Sequence, residues 1–252
     1  MSLVTFELTG STAILTMNRP EKRNSLHPDL VKEFKELFSK CSSNVAIKAI
    51  IITGAGSSFC AGADLAYLKR INVFDNRENY KDSDELSGLF YMIYKCDKLT
   101  IAAVNGPAIA GGCGLASCTD YIIADRNNAK FGYTEVKIGF LPAIVSAFLI
   151  KRIGEAKARR MLISGEIIDA QTAFDYGYAD QLSDQTLKDA LTFAEKLSVN
   201  SSYSIAETKK LIREIGRLSI EQAIEYCVGL NAVSRKSDDF IAGINTFLNK
   251  EK

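Results

Sequence analysis

An α/β fold is predicted for this chain of 252 residues by three observations. Short runs rich in β-branched and small apolar residues, at 49–53 (AIIIT), 100–104 (TIAAV) and 121–124 (YIIA), carry no charge, as strands buried on both faces do. Segments with helical spacing alternate with these runs through about Ile138, which argues for parallel pairing. From about Asn200 onward the pattern is helical throughout. The expected organisation is a core over residues 1–199 and a helical region over 200–252.

Each element has its own signal. Val4, Phe6 and Leu8, then Ile14 and Thr16 across the turn at 9–12, predict a β-hairpin, followed by a polar loop at 18–24. Leu30, Val31, Phe34, Leu37, Phe38 and Cys41 recur at helical spacing behind Pro28, giving a helix over 28–40. After the strand at 49–53, the loop 54–62 enters a helix at 64–69, and the polar stretch 72–84 reads as a flexible connection. Leu86, Leu89, Phe90 and Ile93 open a second helix; strands are expected at 100–104, 121–124 and 130–132. Helices then follow at 144–153 closed by Gly154, at 155–164, at 170–176 between the N-cap Asp169 and Gly177, and at 187–197. Ser219 and Gln222 form a capping box at the head of another. Ile220, Ala223, Ile224, Cys227 and Val228 share one apolar face of this last region, and Phe240, Ile244, Phe247 and Leu248 share another.

Composition narrows the function classes. Lys and Arg number 31 against 30 Asp and Glu, a net charge of +1, and no basic run exceeds two residues, so nucleic acid is not an expected partner. The first seven residues show no basic segment followed by a long apolar one, so no secretory signal is expected. Cys41, Cys60, Cys96, Cys113, Cys118 and Cys227 form no C-x-x-C pair and read as reduced thiols of a cytoplasmic protein, with no metal site. Residues 99–119 are 21 positions without a charge, long enough to span a bilayer, but Asn105, Pro107 and four glycines would break such a helix. A buried strand, a turn and a helix start are expected there instead, and no membrane span.

G-x-S-x-G, Walker A and H-E-x-x-H patterns are absent, and the only histidine, His27, precedes Pro28 at a helix entrance, where it reads as a cap. Two small-residue loops remain, at 58–65 (SFCAGADL) and 105–115 (NGPAIAGGCGL), each leaving a strand and entering a helix. Backbone N–H groups at a helix start have no intrahelical acceptor, and small side chains let a ligand approach them. Two such loops could aim two N–H groups at one oxygen that becomes negative during reaction. Tight strand–helix packing is the alternative use of the same residues.

Residues 59–65 (FCAGADL), with 102–106 (AAVNG) and Gly111-Gly112, resemble the crotonase, or enoyl-CoA hydratase/isomerase, superfamily. Met17-Asn18-Arg19-Pro20, the 50–54 strand, and Phe131-Gly132 with Glu135, Ile138-Gly139 and Pro142 fall in the order that family has, and the likeness runs from about Val4 to Lys250. The resemblance implies a spiral of β-β-α turns, a C-terminal helical region that builds trimers or hexamers, and an acyl-CoA thioester substrate. It implies no metal or redox cofactor, coenzyme A being part of the substrate. It places the oxyanion N–H groups at Ala63 and Gly111, the coenzyme A phosphates near Lys22 and Arg23, and the adenine and pantetheine path near Ala61, Asp64 and Leu65. Residues 71–85 are expected to border the acyl pocket.

Family hydratases carry two glutamates. Here the first position is Gly114 and the second is Glu135. The sequence is similar to a branch associated with methylglutaconyl-CoA hydration in leucine breakdown, where a substrate carboxylate could help hold the water. A single glutamate is also the pattern of the family's Δ3,Δ2-enoyl-CoA isomerases. A third alternative is a non-catalytic acyl-CoA-binding or scaffold homologue. Asp120 is expected to open a strand in a structural role.

Overall fold

The computed structural model describes residues 2–250. The chain divides into two compact units, Met1–Leu197 and Ser198–Lys252. In chain order the first contains β1 (Val4–Thr9), β2 (Thr12–Met17), α1 (Pro28–Ser43), β3 (Ala49–Gly54), α2 (Leu65–Ile71), α3 (Asn76–Lys95), β4 (Leu99–Val104), β5 (Ala108–Ile109), α4 (Gly111–Ser117), β6 (Tyr121–Asp125), β7 (Lys130–Gly132), α5 (Ala143–Ser164), β8 (Ile167–Asp169), α6 (Ala170–Asp175), β9 (Gln181–Ser183) and α7 (Thr186–Ser198). The second contains α8 (Ser202–Ile215), α9 (Ile220–Ser234) and α10 (Asp238–Lys250).

Among the described residues a six-stranded sheet runs β1-β2-β3-β4-β6-β9, with β1 antiparallel to β2 and every other pair parallel. The uncharged runs read from the sequence are its central strands, buried on both sides. Strand alternation divides their side chains between two cores. Leu15, Ile50, Ile52, Ala102, Val104 and Ile122 face α1, α3, α4 and α5. Ile14, Ile51, Ile101, Ala103 and Ile123 face Ala190 and Ala194 of α7. A second sheet, β5-β7-β8, stands apart from the first.

The uncharged stretch 99–119 is β4, β5 and α4, and no helix among the described residues is long and apolar enough to cross a membrane. Gly154 has φ +77° and ψ 164°, so α5 breaks where the sequence placed a stop between two helices. His27 caps α1, its Nδ1 accepting from the Asp29 N–H at 3.3 Å, and Asp120 Oδ2 accepts from the Thr100 N–H at 2.8 Å.

One expectation is overturned. The polar stretch 72–84 is not a flexible connection: α3 begins at Asn76, ten residues before Leu86. Asp75 and Glu78 form a reciprocal capping box, each carboxylate accepting from the other's backbone N–H at 2.8 and 2.9 Å. The first turns of this helix lie in solvent, so they carry no apolar stripe to mark them.

Candidate active site

Three chain segments converge through one short ladder. Cys60 bridges Ala108 in parallel, and Ala108 pairs in parallel with Phe131 of β7. Ala63 and Gly111 each lie three residues beyond their rung, and Glu135 lies four beyond its own. Parallel strands run in one direction, so all three groups emerge at the same end.

At that end the Ala63 N–H is turned outward. Leu26 donates to the Gly62 carbonyl at 2.7 Å and accepts from the Asp64 N–H at 3.1 Å, and the residue between two such bonds directs its own N–H to the far side. Gly111 is the first residue of α4, where N–H groups have no intrahelical acceptor. Neither N–H has an acceptor among the described residues. The two loops touch at Gly62, whose φ is +81°. A Cβ there would stand 2.7 Å from the Ile109 carbonyl oxygen and 3.2 Å from the Gly111 nitrogen, so only glycine lets Ala63 approach Gly111. Ala110, just before Gly111, is held at φ +52° and ψ −118°, a conformation alanine rarely adopts. Its N–H donates to the Gly132 carbonyl at 2.7 Å.

Glu135 opens a short 3-10 turn after β7 that closes at Gly139, φ +73°. It is 8% exposed, and its Oε2 is buried with no hydrogen-bond partner among the described residues. Burial pushes its carboxyl above the ordinary range, partly offset by its own backbone N–H. A carboxylate with one buried, unpartnered oxygen and a raised pKa can take and return a proton at a bound substrate.

Set beside known proteins, the whole chain has relatives. The enoyl-CoA hydratase/isomerase family model matches residues 7–252. The chain belongs to the enoyl-CoA hydratase/isomerase family. It is 36% identical to a Thermus thermophilus protein assigned as an enoyl-CoA hydratase, over 96% of each chain. It is 34% identical to the (E)-benzylidenesuccinyl-CoA hydratase of Thauera aromatica, covering 97% of this chain and 95% of that one. The fold matches an enoyl-CoA hydratase structure from Shewanella pealeana with a TM-score of 0.95 at 28% identity, over 99% and 94% of the two chains. As a member of the enoyl-CoA hydratase/isomerase family this is an acyl-CoA enzyme, a hydratase or an isomerase, with the crotonase fold and a C-terminal helical region.

The residues that the family likeness assigns to coenzyme A fall into two groups. Lys22 and Arg23 are exposed on the loop after β2, and the Arg23 carbonyl accepts from the Ala61 N–H at 2.9 Å, so this basic loop adjoins the 58–64 loop. Leu65 is 67% exposed beside it. Asp64, by contrast, is buried and bonded through both carboxylate oxygens. Its Oδ1 caps α2 by accepting from Ala66 and Tyr67 at 2.9 and 3.2 Å, and its Oδ2 accepts from Arg19 Nη1 at 2.6 Å. The Arg19 guanidinium holds this carboxyl below the usual range. Asp64 is a strut between the two loops, with both of its oxygens bonded within the protein.

In this enoyl-CoA hydratase/isomerase, Gly114 is buried in α4, and a Cβ on it would meet Val145 Cγ1 at 2.4 Å and Phe90 Cζ at 3.4 Å. The volume a second glutamate would enter is therefore filled. Sequence reasoning missed Val145 and Phe90, since nothing in their spacing ties them to Gly114. It also missed the buried hydroxyls behind α4: Tyr178 OH donates to the Cys113 carbonyl at 2.9 Å, and Ser117 Oγ lies 3.0 Å from the hydroxyls of both Tyr133 and Tyr178. Cys113 Sγ donates to the Ala108 carbonyl at 2.8 Å. Burial raises the Cys113 thiol and pushes that of Cys60 up to about 12, so both remain protonated packing groups.

Proposed function

We propose that this enzyme adds water reversibly across the double bond of a 2-enoyl-CoA through an enolate. The observation that carries the reading is the buried, unpartnered Glu135 Oε2 at the same ladder end as two free N–H groups. Glu135 takes a proton from water as its oxygen bonds to the β-carbon. The double-bond electrons move toward the thioester oxygen, where the Ala63 and Gly111 N–H groups hold the negative charge, and the protonated Glu135 returns a proton to the α-carbon. Oxidation state is unchanged overall, so the step calls for no redox cofactor. A metal has no part in this reading.

With Gly114 in place of a second carboxylate, a branched acyl group carrying its own carboxylate, as methylglutaconyl-CoA does, supplies the missing partner for water. The Thauera relative, named for a benzylidenesuccinyl thioester, supports this. The filled space at Gly114 favours a second reading, Δ3,Δ2-isomerisation, in which Glu135 alone moves a proton between carbons. A panel of 2-enoyl, 3-enoyl and 3-methylglutaconyl thioesters separates them: 3-hydroxyacyl products support hydration, and migrated double bonds without water uptake overturn it. Alanine at Lys22 and Arg23 raises KM several-fold in low salt and leaves kcat unchanged, because these groups meet only the phosphates.

The C-terminal unit exposes Ile212, Ile220, Ile224, Val228 and Phe247. This exposed apolar surface supports assembly into trimers or paired trimers, in which copies of the chain would cover it, and sedimentation of the intact protein tests this.

A further inference from the structure

We propose that Val145 is the specificity-determining residue of this site, by occupying the volume above Gly114 and presenting hydrocarbon where water would otherwise gain a second protein partner. The proposal rests on the hydration reading above and names its substrate class: 2-enoyl thioesters that bring their own hydrogen-bonding group close to the β-carbon.

Four observations carry it. A Cβ on Gly114 would lie 2.4 Å from Val145 Cγ1, an overlap with the methyl, and 3.3 Å from Val145 Cβ, a tight contact with the branch point. Valine on a helix is confined largely to one χ1 rotamer, and Val145 is 5% exposed in α5, so it has nowhere to turn. Phe90 backs it: the same ring edge stands 3.4 Å from the Cβ point of Gly114 and 3.8 Å from that of Gly111. One wall therefore runs from the oxyanion donor to the filled position, one helical turn along α4. That ring is in turn fixed edge-on against Phe148 at 6.3 Å, and Phe148 against Tyr94 at 5.5 Å. Finally, Glu135 emerges at the same ladder end as Gly111, four residues past Phe131 where Gly111 lies three past its partner Ala108. Wall, oxyanion donor and carboxylate thus lie toward one end of the ladder, where Glu135 is the protein's acid and base and Val145 with Phe90 is its dry side.

The consequence is chemical. A water there has one strong acceptor from the protein and an apolar surface on the other flank, so its orientation depends on what the acyl group offers. A straight-chain 2-enoyl thioester offers nothing there; one with a carboxylate or carbonyl near the β-carbon does.

The test is a comparison of kcat/KM for crotonyl-CoA and 3-methylglutaconyl-CoA in the full chain, with α-proton exchange in deuterated water read in parallel. Wild type is expected to favour the carboxylated thioester at least tenfold. Val145→Ala narrows that ratio by about fivefold or more, and the pair Gly114→Glu with Val145→Gly gains tenfold or more on crotonyl-CoA, with the gain lost in Glu135→Gln. Gly114→Ala alone melts lower than Gly114→Ala with Val145→Ala, since only the pair relieves the overlap. An unchanged substrate ratio in Val145→Ala overturns the proposal even where the double variants fail to fold. Wild-type protein with no exchange and no hydration of any thioester overturns instead the reading on which it rests.

Discussion

Replacing Glu135 by glutamine keeps the side chain's shape and removes its proton chemistry. Turnover and α-proton exchange are expected to fall by about 10²- to 10⁴-fold, the usual contribution of a positioned acid or base, or about 3 to 5 kcal/mol of barrier. The same substitution has a second signature in stability. Burial raises the Glu135 carboxyl above its ordinary 4.5, so the folded state holds the proton more tightly than the unfolded chain. Its contribution to stability is therefore fullest below pH 4.5 and is lost as pH rises through the raised folded value, levelling off above it, at about 1.4 kcal/mol per unit of displacement. Glutamine does not titrate. The melting temperature of Glu135→Gln minus that of wild type must grow as the pH rises across that window and then become constant. Circular-dichroism melts of both proteins at half-unit steps, set beside hydration and exchange rates, measure the two effects together. A difference that stays flat with pH, or a variant that retains turnover, refutes the reasoning.

Other substitutions probe the frame around that carboxylate. Ala110→Gly removes the strain of φ +52° and raises stability by about 1 kcal/mol in denaturant titrations, while a drop in stability would show that the alanine methyl packs better than it strains. Asp64→Ala removes the cap of α2 and strands Arg19, whose side chain is 16% exposed, and lowers stability by about 2 to 4 kcal/mol. Because the folded Asp64 carboxyl sits below its ordinary 3.8, wild type keeps this contribution above that pH and loses it only on further acidification, so the two proteins converge in acid. Tyr178→Phe leaves the Cys113 carbonyl and Ser117 each short of a partner, costing about 1 to 3 kcal/mol by chemical denaturation and loosening α4 behind Gly111.

What could be read from the sequence follows from what each feature needs. The central strands were legible because burial on both faces leaves uncharged runs, and the break at Gly154 and the caps at Asp169 and Ser219 because they depend on local residue types. The start of α3 was missed because its support, Asp75 with Glu78, is a pair of surface carboxylates in a polar context, although the spacing was there to be seen. Both small-residue loops were visible between strand and helix, yet only the ladder of Cys60, Ala108 and Phe131 shows why they end on the side where Glu135 emerges. Lys22 and Arg23 could be placed on a loop, but the ion pair of Asp64 with Arg19 was out of reach, since the two lie 45 positions apart. The closure of the space above Gly114 was out of reach for the same reason: packing between α4 and α5 leaves no periodic trace.

The interlocked fit of Gly114 and Val145 also makes the order of change matter for descent. A methyl added first at 114 lands 2.4 Å from its neighbour and forces α4 and α5 apart in a single step. Trimming Val145 first leaves only a small cavity, a loss of about 2 kcal/mol from a domain with some 5 to 15 to spare. A lineage moving between one-glutamate and two-glutamate sites is thus channelled through a neighbour that never touches a proton, and α5 decides when α4 can carry an acid at 114.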